Sequence, residues 1–164
     1  MIKIVNKENM RNNLKGRIAE DVVEELFTQL NFKVYRFGAE RVLSGLLNRE
    51  NRFEGDKDTA KRISEMPDFI ITKDNHVYFI EVKYRGDAAT NFRPPSDYAY
   101  PEAFIVVLST LYPDYIKIQR AQKLLEGKDF VQLDEIEELD IAKNDVHQCI
   151  HIFKQTFGFF NGSE

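Results

Sequence analysis

The amino-acid sequence predicts an α/β domain built on a mixed β-sheet that is covered on both faces. Three patterns carry that expectation. Apolar residues recur at helical spacing over residues 18–30. A compact run at 69–72 and a longer one at 76–84 are joined by Lys73-Asp74-Asn75, which is turn chemistry. Phe104-Ile105-Val106-Val107-Leu108 is continuous and rich in β-branched residues. A hairpin supplies antiparallel neighbours, and a fully apolar strand belongs to a sheet covered on both sides.

Taken in order, Asn12 or Asn13 can cap a first helix that runs to about Leu30, with Ile18, Val22, Val23, Leu26, Phe27 and Leu30 as its buried stripe. Asn31-Phe32 ends it, and residues 34–37 read as a strand closed by Gly38. Residues 39–66 are polar apart from Val42-Leu43 and Leu46-Leu47, and read as an insertion between that strand and the hairpin, holding one or two short helices. Residues 86–101 contain Gly86, Pro94, Pro95 and Pro101, so they cannot form one regular helix: proline lacks the N–H and clashes with the preceding turn. The strand at 104–108 follows, then another at 115–118 and a helix through Leu125 that stops at Gly127. Residues 130–133 are short and extended, and 140–157 form a last helix ending near Gly158.

With 164 residues the chain reads as one domain, 1–164, able to bury a core. Its 43% hydrophobic and 30% charged content excludes a disordered chain. No uncharged apolar run approaches the roughly 18 residues of a spanning helix, so no membrane partner is expected. The start, Met1-Ile2-Lys3-Ile4-Val5-Asn6-Lys7-Glu8, has no apolar core of a signal peptide, and the expected compartment is the cytoplasm. A single cysteine, Cys149, excludes an internal disulfide and a cysteine-based zinc site. The net charge of −4 argues against tight non-specific duplex binding, which draws on neutralised phosphates. The charge is uneven, however. Residues 1–93 hold 17 Lys/Arg against 15 Asp/Glu, and residues 94–164 hold 6 against 12. The first half can therefore present a basic surface while the acidic 134–140 stretch lies remote.

The chemistry turns on two look-alike acidic sites. With 27 acidic residues and 13 lysines, chance supplies about two acid-x-Lys tripeptides, and two occur: Glu81-Val82-Lys83 and Glu126-Gly127-Lys128. Pro67-Asp68 precedes the first and Pro113-Asp114 the second. Local structure separates them. Asp68 opens one hairpin strand and Glu81 lies on the other, with Glu81 and Lys83 on one face and Val82 turned inward. Glu126 and Lys128 flank a helix end, where they share no strand face. The first site alone can place two carboxylates around one ion.

Met66-Pro67-Asp68-Phe69-Ile70-Ile71 followed by Val77-Tyr78-Phe79-Ile80-Glu81-Val82-Lys83 resembles the PD-(D/E)XK nuclease superfamily, which includes restriction endonucleases, Holliday-junction resolvases and repair nucleases. Lys15-Gly16-Arg17-Ile18-Ala19-Glu20 resembles the Gly-x-x-Ala-Glu helix of its resolvase-like members. The likeness spans residues 12–85. It implies a restriction endonuclease-like fold, a central mixed sheet flanked by helices on both faces. It also implies a Mg²⁺-dependent nuclease in which Mn²⁺ substitutes. By this resemblance Asp68 and Glu81 are metal ligands with the Val82 carbonyl as a third, and Lys83 orients or activates the attacking water. Glu20 joins them from the helix, through water or a second ion. Such chemistry suits the residue types: Mg²⁺ prefers hard oxygen ligands, and phosphodiester cleavage needs neutralised phosphate charge and an activated water.

Lys15, Arg17, Arg85 and Arg93 are the expected nucleic-acid contacts, and Tyr84, Phe92, Tyr98 and Tyr100 could stack on a frayed or single strand. A loop packed by its own aromatics is the equal alternative. His147 and His151 stand four apart on the last helix but lack a third ligand, so an ordinary helix surface is expected there. Phe153, Phe157, Phe159 and Phe160 are read as core or dimer contacts. No Gly-Lys-Ser/Thr phosphate loop is present, so ATP use is not indicated. The expected partner is nucleic acid, DNA first and RNA second, with a homodimer as a means of cutting both strands. The alternative is a non-catalytic nucleic-acid- or partner-binding module that retains the fold.

Overall fold

The computed structural model describes residues 7–37, 57–85, 92–109 and 116–158. Among them five strands form one sheet: β1 (Lys33–Arg36), β2 (Phe69–Lys73), β3 (His76–Tyr84), β4 (Phe104–Leu108) and β5 (Ile116–Arg120), in the order β1-β2-β3-β4-β5. Neighbours are antiparallel except β3 and β4, which run parallel, so the sheet is mixed as expected. The hairpin closes through Asp74 and Asn75, both with left-handed backbone (φ 48° and 66°). Two-residue turns that follow strand twist need that conformation, and Asp and Asn tolerate it.

The helices are α1 (Lys7–Gln29), α2 (Lys57–Ser64), α3 (Ala121–Leu125) and α4 (Lys143–Gly158), with single 3-10 turns at Leu133–Glu135 and Glu137–Leu139. α1 begins upstream of Asn12 and Asn13, which lie inside it rather than capping it. Its buried stripe is Ala19, Val23, Leu26, Phe27 and Leu30, and Ile18 is exposed. At 100° per residue Ile18 falls more than a quarter-turn off the line through those five, and the smaller Ala19 takes the core position.

One sheet face carries Phe69, Ile71, Ile80, Val82, Phe104, Val106, Leu108, Ile116 and Ile118, packed on α1 and on Leu133, Ile136, Leu139, Val146, Cys149 and Ile150. The other carries Ile105 and Val107 against Ala121 and Leu124 of α3, Phe130, Phe92 and Tyr98. All five residues of β4 are buried, which explains its unbroken apolar run.

Several boundaries differ from the sequence reading. β1 starts one residue earlier, and β5 reaches Arg120 where a helix was expected. There Gln119 and Arg120 pair with Ile105 and Phe104, so ladder formation overrides the local pattern. α4 starts at Lys143, because a 3-10 turn and the left-handed Asp140 (φ 45°) break the preceding segment. α2 supplies one of the short helices expected within 39–66. Gly38, Val42-Leu43, Leu46-Leu47, Gly86, Phe159 and Phe160 lie outside the described residues. Among the described residues, no helix is long and apolar enough to cross a membrane.

The chain must return from the end of β3 to the start of the parallel β4. The described part of that crossover, 92–103, is irregular rather than helical, as its prolines predict. It is pinned to α2 and its C-terminal end. Lys61 pairs with Asp97, the Ala99 N–H donates to Glu65 (2.8 Å), and the Tyr100 hydroxyl donates to the Arg62 carbonyl (3.0 Å).

Candidate active site

Strand register creates the site. Arg36 pairs with Phe69 and Phe69 with Ile80, so β1 and β2 stop at that row, while β3 runs on through Tyr84 beside β4 alone. Asp68 stands at this step in the sheet. Its Oδ2 accepts the Val82 N–H at 2.7 Å, in the ladder position that β2 has ceased to fill. Alternation then sorts the side chains: Val82 enters the α1 core, and Glu81 and Lys83 turn to the opposite face.

Asp68, Glu81 and Lys83 line one cavity of about 740 Å³. Glu20 and Arg17 reach it from α1, past the step left by β2, and Arg36 from β1. Phe92, Pro94, Pro95 and Tyr98 of the crossover line it as well. The four acid and lysine positions singled out in the sequence thus converge, Glu20 arriving from the helix on the other side of the sheet.

The Lys83 ammonium pairs directly with Glu81, whose side chain is only 13% exposed. Burial, and next the Asp68 charge, push the Glu81 acid up to about 7 against the pull of Lys83; Glu20 adds in the same sense. Burial, with Glu81 and Asp68 nearby, also raises the Tyr98 phenol. The site is short of positive charge and offers hard oxygen donors, a set that fits Mg²⁺, which is commonly held by one or two carboxylates with water and phosphate completing its shell. Among the described residues, no group of three or more His, Cys, Asp or Glu is placed to hold a metal ion.

Of the expected nucleic-acid contacts, Arg17 lines the cavity with Lys83. Lys15 instead lies over the Tyr84 ring (5.3 Å to its centroid) and Arg85 over Phe92 (4.7 Å). Arg93 donates to the Phe92 carbonyl (2.9 Å) and pairs with Asp129 (3.2 Å). The lining carboxylates (Glu20, Asp21, Glu65, Asp68, Glu81) outnumber the cations (Arg17, Arg36, Lys83), so the basic cavity expected from the charge distribution is not formed by these residues. The 134–140 stretch does lie apart, on the α1 side of the sheet, where Glu138 pairs with Arg120 and Lys73 donates to the Asp140 carbonyl (2.8 Å).

Sequence reasoning missed Arg36. It stacks over Phe69 and pairs with Glu20, Asp21 and Glu24, gathering the acidic flank of α1 at the cavity mouth. Period two was the available signal, since Val34 and Arg36 share the face turned to α1. The look-alike site behaves as expected: Glu126 caps α3, Gly127 takes a positive φ of 84°, and the Lys128 N–H bonds back to Lys123. His147 and His151 are exposed on α4, and Cys149 is buried.

Compared with protein-family models and with curated proteins, the chain matches none.

Proposed function

We propose that this protein is a Mg²⁺-dependent nuclease of the PD-(D/E)XK type with a restriction endonuclease-like fold, hydrolysing phosphodiester bonds, with DNA as the first substrate. The observation that supports this most is the meeting of Asp68 and Glu81 at the step where β2 begins, with Lys83 on the same face of β3. The Asp68 and Glu81 carboxylates and the Val82 carbonyl would hold the ion. Mg²⁺ bound there neutralises phosphate charge and makes a water more acidic. Glu81, which pairs with Lys83 here, would turn to the ion when it is bound. The Lys83 ammonium would then orient the attacking water or stabilise charge on a phosphate oxygen. Glu20, steadied by Arg36, orients water from the α1 side. A homodimer would place two such centres on opposite strands.

Incubation of supercoiled plasmid and branched DNA with Mg²⁺ or Mn²⁺, and with EDTA as control, tests the reading. Divalent-dependent nicking is expected; intact DNA under every divalent condition would contradict it. The surplus of carboxylates in the cavity favours a second reading, a non-catalytic nucleic-acid- or partner-binding module. Binding without cleavage in the same assay would select it.

A further inference from the structure

We propose that the cavity takes an unpaired nucleic-acid strand, one base stacked on the Phe92–Tyr98 wall while the adjoining phosphate meets Asp68, Glu81 and Lys83. This rests on the nuclease reading of the site and adds its substrate class. Depth is the first reason. Glu81 is 13% exposed, within a cavity whose volume suits a small ligand rather than a duplex. In a duplex the phosphates are held by stacked bases, and a nucleotide must leave the stack to enter a pocket, at a cost in unstacking. An unpaired strand enters without that cost.

The walls differ in chemistry. Lining the same cavity as the carboxylates are Phe92, Pro94, Pro95 and Tyr98, which bring two aromatic rings for a base to pack on. Polar satisfaction points the same way. Among the described residues, the buried side-chain polar atoms without a hydrogen-bond partner are Arg85 Nε and Tyr98 Oη. Tyr98 belongs to this wall, packing with Phe92 against the Ile105–Val107 face of β4, whereas Arg85 covers the Phe92 ring without itself lining the cavity. Buried polar groups in folded proteins are ordinarily paired, so the Tyr98 hydroxyl on this wall marks a bond that a ligand completes, to a base edge. Charge completes the argument. Duplex binders draw affinity from many neutralised phosphates, whereas Arg36 and Lys83 here already face carboxylates. A single strand also presents phosphates, but each base stacked on an aromatic ring adds affinity that draws on no charge.

Fluorescence anisotropy with Mg²⁺ and the full-length Lys83→Ala protein, which keeps substrate intact, tests this on a single-stranded oligonucleotide, its blunt duplex and a duplex bearing an unpaired flap. Single strand and flap should bind about tenfold more tightly than the blunt duplex. Phe92→Leu, which keeps apolar volume but removes the ring face, should weaken single-strand binding about tenfold and leave duplex binding unchanged. Tyr98→Phe should weaken single-strand binding without lowering Tm; a merely structural hydroxyl would leave binding untouched. Equal affinity for single strand and duplex, or no effect of Phe92→Leu, overturns the inference. Wild-type protein that cleaves duplex and single strand equally well also overturns it and leaves the nuclease reading standing. Protein that binds single strands through Phe92 but cleaves nothing with any divalent cation supports the stacking wall and overturns the nuclease reading.

Discussion

Asp68 and Val82 are joined beside the start of β2: the aspartate Oδ2 accepts the valine main-chain N–H at 2.7 Å. One acid of the candidate centre is thereby fixed to the residue that follows the other, so the separation of Asp68 from Glu81 is set by sheet register rather than by side-chain freedom. The same bond makes Asp68 part of the fold.

Asp68→Asn keeps an acceptor for that N–H and removes the charge facing Glu81. The metal-free variant should melt at or above the wild-type temperature by circular dichroism. Asp68→Ala leaves the N–H without its acceptor and should lose about 1–3 kcal/mol. An alanine variant more stable than the asparagine one would contradict this role.

Glu81 should make stability depend on pH in metal-free buffer. Its acid lies near 7 in the folded protein against 4.5 unfolded, with Asp68, Glu20 and Lys83 as the charged groups around it. The folded state then binds the proton more tightly, so the contribution is complete below pH 4.5, falls as pH rises toward 7 and is flat above. Each unit of difference corresponds to about 1.4 kcal/mol, so the loss is on the order of 3 kcal/mol. Denaturant melts of wild type and Glu81→Gln isolate it: wild type should lose stability relative to the variant between those pH values. A constant difference would contradict the burial of a repelled carboxylate.

Arg36→Met should destabilise the protein by about 1.5–3 kcal/mol, because Glu20, Asp21 and Glu24 lose their common partner. Urea unfolding at neutral pH measures it, and a variant as stable as wild type would show that the acidic flank of α1 needs no counter-charge.

Crystals soaked in Mn²⁺ should show an anomalous peak between Asp68 and Glu81. A peak beside His147 and His151 or along 134–140, with none between the two carboxylates, would mean the donor set was misassigned.

How far the sequence was legible depended on how local the physics was. The Asp74-Asn75 turn, the alternation placing Glu81 and Lys83 together, and the helix stop at Gly127 are short-range effects, and each was readable from spacing and residue type. Arg120 was misread because its strand conformation comes from pairing with Phe104, a partner 16 residues away in sequence. Ile18 was misread because several helix faces pass near an apolar pattern, and only packing selects Ala19. The cavity charge was misjudged for the same reason. Counting Lys and Arg along the chain does not reveal that Lys15 and Arg85 lie over Tyr84 and Phe92, or that Arg36 gathers three carboxylates.

The most direct measurement is the rate of Mg²⁺-dependent DNA cleavage by wild type, Lys83→Ala and Lys128→Ala, with melts confirming that all three are folded. Lys83→Ala removes a charge from the cavity and no core packing, and should lower the rate by about 100-fold or more, while Lys128→Ala, at the end of α3, should match wild type. Cleavage by Lys83→Ala at the wild-type rate, or loss of cleavage in Lys128→Ala instead, would contradict the assignment of catalysis to Asp68, Glu81 and Lys83.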